Sequence, residues 1–216
     1  MDAGLHPQIA TVSGRSLRYT LSTPATPAAG APLVLCLHYA GHGAPWYGQG
    51  LLADLIEPSL RSLNAVMVAP DCPERSWTSP AAAPLVFELL DTIAGQHGTD
   101  PRRVVVTGYS MGGIGTWHYA AAHSERFSAA IPIAGRPSGL LPSIPVYIVH
   151  SRRDEVIDIG PDEAAAASLA ASGSEVVFEA LSEPVHYAIG AHAAGLAGAP
   201  GWLKRIWSRP HADLPR

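Results

Sequence analysis

Short, continuous runs of apolar and β-branched residues punctuate this chain of 216 residues, and each stops at turn residues. They are Leu33–Leu37, Ala65–Val68, Val104–Thr107, Ala129–Ile133, Val146–Val149 and Val176–Phe178. A run with no polar alternation is what a strand covered on both faces requires. Helix-like stretches fall between the runs, at about Gly50–Leu60, Pro84–Gly95, Met111–His123 and Asp162–Ala171. Strands alternating with helices predict an α/β fold, with a mostly parallel sheet and helices on both faces. Upstream, Ile9–Val12 and Leu17–Leu21 flank Ser13-Gly14-Arg15, which predicts a hairpin and an antiparallel edge. The expected total is about eight strands. The chain reads as one domain over residues 1–216, with a Pro/Ala-rich connector at 22–32 and a polar tail at 208–216.

Composition excludes several classes. Hydrophobic residues make up 47% and charged residues 15%, too apolar and too weakly charged for disorder. A formal charge of −4 gives no basic footprint for nucleic acid. Two cysteines are too few for a disulfide scaffold, and Cys36 lies inside an apolar run where a small core residue belongs. Met1-Asp2-Ala3-Gly4 lacks the basic and apolar regions of a signal peptide, and Gly, Pro, Ser and His interrupt every uncharged stretch before it reaches membrane-span length. The expectation is a soluble, cytoplasmic protein.

The segment with the most chemistry in it is Val104-Val105-Val106-Thr107-Gly108-Tyr109-Ser110-Met111-Gly112-Gly113. It reads as strand, sharp turn, helix, with G-x-S-x-G at the turn. A serine there is thrust up from the strand end in a strained conformation, and glycines two before and two after remove β-carbons that would clash. The helix that follows aims its free amides at developing negative charge. Ser110 is therefore the candidate nucleophile. A dinucleotide-binding reading of the same glycines fails on position, since that fingerprint follows the first strand of its unit. The reductase pair Tyr-x-x-x-Lys is also missing: Lys204 is the only lysine, and Pro200 stands four residues before it.

A serine nucleophile needs a base, and the base needs an orienting carboxylate, in the order Ser, acid, His. Asp154 follows the strand ending near His150, at the carboxyl edge of the sheet where α/β sites form. Glu155 and Asp158 are its competitors. His186 follows the last strand and is the candidate base, with His192 as its competitor. His38 and His42 lie four apart in a Gly-rich loop without a third ligand at metal spacing, so no metal is expected. The oxyanion donors expected for this arrangement are the backbone amides of Met111 and Ala40, with Tyr39 as a second candidate in the loop after the first parallel strand.

TGYSMGGIGTW, ERFSAAIPIAG, PVYIVHSRRDEVID and VAPDCPERSW together resemble the α/β-hydrolase serine esterases. The similarity is to the branch of predicted peptidases, phospholipase/carboxylesterase-like proteins and polyhydroxybutyrate-depolymerase-like esterases. It covers most of residues 31–207 and implies Ser110, Asp154 and His186 as triad. One departure is Tyr39, which stands where the family usually has the glycine of Leu-His-Gly. A tyrosine hydroxyl there could itself donate to the oxyanion.

Only residues 134–145 separate Ile133 from Val146, and three of them are proline, so no helical cap is expected. An open site suits small acyl esters or accessible chain ends. Trp46, Tyr47 and Trp77 occupy loops at the catalytic end and are candidates to line the pocket, with structural packing as the alternative. The expected activity is hydrolysis of a small-molecule carboxylic ester without a cofactor. A peptidase or amidase with the same triad, or a non-catalytic binding protein, are the alternatives. Oligomeric state and acyl specificity are not legible.

Overall fold

The computed structural model describes residues 3–26, 28–41 and 44–209. It opens with strands β1 (Gly4–Val12) and β2 (Arg15–Thr23), paired antiparallel with Val12 opposite Arg15. Ser13 and Gly14 both take positive φ, 45° and 75°, as a two-residue hairpin turn of matching twist demands. The sheet continues with β3 (Leu33–Leu37), β4 (Val66–Pro70), β5 (Val104–Tyr109), β6 (Ala129–Ile133), β7 (Val146–Ser151) and β8 (Val176–Leu181). The spatial order is β1-β2-β4-β3-β5-β6-β7-β8. Only β1 against β2 and β2 against β4 are antiparallel. This is the eight-stranded, mostly parallel sheet expected from the chain.

Every residue of β3 to β7 is buried, which is why these runs carry no polar alternation. Successive side chains leave opposite faces of the sheet. Leu33, Leu35 and Leu37 join one core, against helix α3 (Ala82–His97). Val34 and Cys36 join the other, against α1 (Gly48–Leu51), α2 (Glu57–Leu60), α6 (Ala193–Leu196) and α7 (Ala199–Trp207). Helices α4 (Met111–Ala122) and α5 (Gly160–Ala171) share the face of α3, where Trp117 packs with Ile148 and Leu169. Burial of Cys36 pushes its thiol well up, so it acts as a small apolar residue.

Some boundaries shift. The stretch expected at Gly50–Leu60 begins at Gly48, and a π-helical turn over Leu52–Ile56 joins its two α-helical pieces. Strand β2 takes Ser22 and Thr23 from the expected connector. Residues 134–145 form neither helix nor strand, so no cap rises between β6 and β7. The tail from Pro210, with His211, lies outside the described residues, as do His42 and Gly43. Among the described residues, no helix is long and apolar enough to cross a membrane.

Candidate active site

Ser110 sits between the end of β5 and the first residue of α4 with φ 57° and ψ −116°. A non-glycine residue there stores on the order of 1–3 kcal/mol of strain and persists only where its surroundings enforce it. The Ser110 amide donates to the Ile133 carbonyl at 3.0 Å, and its carbonyl accepts from Ile114 at 2.9 Å. A Cβ on Gly112 would run into the Leu37 carbonyl, and one on Gly108 into the Gly112 carbonyl. Glycine is therefore the residue type this turn admits at both flanks.

His186 reaches Ser110 from the loop after β8. Its Nε2 lies 2.8 Å from Ser110 Oγ, and its Nδ1 lies 2.6 Å from Asp154 Oδ2. Asp154 is buried just past the end of β7, and its other oxygen accepts the Val156 and Ile157 amides at 2.9 and 2.7 Å. Burial alone would raise the Asp154 carboxyl. The His186 contact and the two amides outweigh it and hold the group below the ordinary carboxylate value. An ionised Asp154 fixes the proton of His186 on Nδ1 and leaves Nε2 free to accept from Ser110.

Both backbone groups of His186 are pinned as well. Its amide donates to Glu155 Oε2 at 3.0 Å, and its carbonyl accepts from the Tyr109 hydroxyl. Neither contact was legible in the sequence, because Tyr109 is 77 residues away and Glu155 is 31. Asp158 instead bonds the Gly160 amide at 3.1 Å. His192 is buried, with Nδ1 3.2 Å from the Ala188 carbonyl, and burial lowers its pKa. The geometry brings Ser110, His186 and Asp154 together and leaves the competitors in other contacts.

Behind Asp154 lies a second buried group that sequence reasoning passed over as a strand-end histidine. His150 Nδ1 is 2.7 Å from Asp162 Oδ2, and the other Asp162 oxygen accepts Trp117 Nε1–H at 2.9 Å. His150 Nε2 faces two acceptors, the Ile157 carbonyl at 3.0 Å and Asp154 Oδ2 at 3.3 Å. Nε2 must therefore carry hydrogen, and one further proton lies between Nδ1 and Asp162. Burial alone would lower His150, but the bond and charge of Asp162 and the charge of Asp154 carry it above the ordinary histidine value. Burial raises Asp162, only partly offset by His150 and Trp117. Both directions say that the pair retains its proton.

The loop after β3 carries two of the three residues expected to supply oxyanion donors, Tyr39 and Ala40. His38 Nδ1–H donates to the Tyr39 carbonyl at 2.7 Å, and Nε2 accepts the Cys72 amide at 2.9 Å, which fixes a neutral tautomer. Met111 is the first residue of α4, so its amide has no intrahelical acceptor. Met111 and Ala40 line one cavity of about 360 Å³. The Tyr39 hydroxyl points toward Gly50 of α1, and its ring packs edge-on against Tyr47 and Tyr109.

The three aromatic candidates for the pocket separate. Tyr47 lines the cavity with Met111. Trp77 is a correction: it is fully buried, its indole donates to the His38 carbonyl at 2.8 Å, and it packs beneath the loop against Gly115. Trp46 turns its indole away too, donating to the Gln8 carbonyl at 2.8 Å. The Trp46 and Tyr47 amides, at 3.1 and 2.7 Å, are both held by Asp71. Among the described residues, no group of three or more His, Cys, Asp or Glu is placed to hold a metal ion.

Strand order, elbow and lidless top can now be set beside known proteins. A solved structure titled as a thermostable esterase superposes with a TM-score of 0.76 over 93% of this chain and 62% of that one, at 22% identity. The fold is that of the α/β-hydrolases. Residues 66–168 of this chain match the model of the Esterase family, described as "Putative esterase". That span holds Ser110 and Asp154 and stops short of His186. Among curated relatives, "Putative esterase NocK" of Nocardia uniformis subsp. tsuyamanensis is 28% identical over 68% of this chain and 48% of its own. "Poly(3-hydroxyalkanoate) depolymerase C" of Paucimonas lemoignei is 40% identical over 24% of this chain and 13% of its own. The chain thus spans about half the length of NocK. The resemblance to esterases read from the motifs is borne out by these likenesses.

Proposed function

We propose that this α/β-hydrolase cleaves carboxylic esters through an acyl-enzyme on Ser110. The observation that carries the reading is the unbroken chain from Ser110 Oγ to His186 Nε2 at 2.8 Å and from His186 Nδ1 to Asp154 at 2.6 Å. The names of the relatives, an esterase and a polyester depolymerase, point the same way. His186 takes the hydroxyl proton as Ser110 attacks the ester carbonyl. Asp154 keeps the imidazole in the required tautomer and stabilises the imidazolium. The carbonyl oxygen, now negative, rests on the Met111 and Ala40 amides. His186 hands the proton to the departing alcohol. Water, activated by the same imidazole, then releases the acid. No cofactor takes part.

Each oxyanion donor of this kind is worth about 3–4 kcal/mol in the transition state. Ser110→Ala is expected to lower kcat on 4-nitrophenyl acetate by about 10⁶-fold and to abolish labelling by a fluorophosphonate probe. Turnover that survives the change would overturn the assignment. Folded wild-type protein that resists the probe would instead mark a binding protein that keeps the fold.

A further inference from the structure

The cavity beside Met111 and Ala40 mixes apolar and charged walls, whereas a site for a plain acyl chain needs no charge at all. Arg18, Asp71, Glu74 and Arg75 all contribute to its walls. Three of these charges are already matched. Asp71 pairs with Arg18 at 2.9 Å, and Glu74 pairs with Arg15 at 3.2 Å. Arg75 makes no ion pair or hydrogen bond among the described residues. The loop that carries it is anchored where it leaves β4: the Asp71 amide donates to the Arg18 carbonyl at 2.8 Å, and the Cys72 amide donates to His38 Nε2 at 2.9 Å. The second of these bonds ties the Arg75 loop to the loop that presents Ala40. Arg75, exposed and without an ion partner among the described residues, thus stands at the wall of the cavity lined by the two residues expected to supply the oxyanion donors.

We infer that the preferred substrates are esters bearing a second, free carboxylate, which Arg75 pairs while the ester carbonyl sits at Met111 and Ala40. A guanidinium presents its N–H groups as a planar fork that fits a carboxylate in two parallel bonds. A purely apolar ester would gain nothing from that charge, which stays in water. The inference rests on the ester-hydrolase reading above.

The test compares matched pairs of esters on the wild-type protein. One pair puts the carboxylate on the acyl side, as the 4-nitrophenyl half-ester of glutarate against 4-nitrophenyl valerate. The other puts it on the alcohol side, as 4-carboxyphenyl butyrate against phenyl butyrate. In at least one pair the charged ester is expected to show a kcat/KM about tenfold higher, the size of one charge-assisted contact. In Arg75→Gln that ratio should fall to about one, and added salt should erode it in wild type. Equal or inverted ratios in both wild-type pairs would overturn the inference, as would a preference that survives Arg75→Gln. Failure to hydrolyse any of the four esters would instead overturn the ester-hydrolase reading.

Discussion

His186 is held at four of its atoms, and each hold has a separate source. Ser110 and Asp154 fix the ring, while Glu155 and Tyr109 fix the amide and carbonyl of the backbone. An imidazole delivered by a loop, as the proposed base is, would otherwise lose precision, because a loop has no ladder of its own to hold it. Burial raises the Tyr109 phenol well above its usual value, so it stays a donor throughout the neutral range. Tyr109→Phe removes the bond to the His186 carbonyl and leaves that acceptor buried without a donor. A loss of about 1 kcal/mol in alignment corresponds to a roughly fivefold fall in kcat, with KM on 4-nitrophenyl acetate little changed. An unaltered kcat in that variant would mean that the loop holds the imidazole without the phenol.

At the scale of elements, the strand–turn–helix around Ser110 was legible because its requirements are local. Four β-branched residues, two glycines and a helix start fall within ten positions, and the backbone takes the strained form they imply. The consequence is testable at Gly112, where an added Cβ meets the Leu37 carbonyl, an atom that cannot swing aside. Gly112→Ala is expected to cost at least about 1–3 kcal/mol, or several degrees in Tm for a chain of this size, and to lower activity with it. Differential scanning calorimetry beside an ester assay checks both. An unshifted Tm would mean that β3 yields to the elbow more easily than its burial suggests. Other features were illegible for a physical reason: they depend on contacts distant in sequence. Trp77 reads equally well as pocket wall or core, and only the His38 carbonyl decides its direction. The π-helical turn at Leu52–Ile56 has no local signature in a run of Leu, Ala, Asp and Ile. His150 looks like any strand-terminal histidine until Asp162, on α5, packs against it.

At the scale of the whole molecule, the buried imidazoles of His38, His192 and His150 are shifted in opposite directions, and both kinds contribute to how stability depends on pH. His38 and His192 are buried and neutral, their pKa values lowered chiefly by desolvation. Below about pH 6.5 the unfolded chain takes up protons on these two that the folded chain refuses, so stability falls as pH falls. Asp154 adds to that loss in more acid solution, as pH drops toward its depressed folded value. The His150–Asp162 pair acts in the other direction. Folded, it keeps one titratable proton, shared between Nδ1 and the carboxylate and fixed by the acceptors facing both ring nitrogens. Unfolded, it loses that proton above about pH 6.5, and stability then falls as pH rises, by up to about 1.4 kcal/mol per pH unit until the folded pair also lets go. The two slopes meet, so urea midpoints measured across neutral pH should peak near about pH 6.5. Asp162→Asn removes the carboxylate that shares the proton and should flatten the alkaline slope while leaving the acid slope in place. A wild-type profile that stays flat from neutral to mildly alkaline pH would mean that His150 is held neutral against an ionised Asp162.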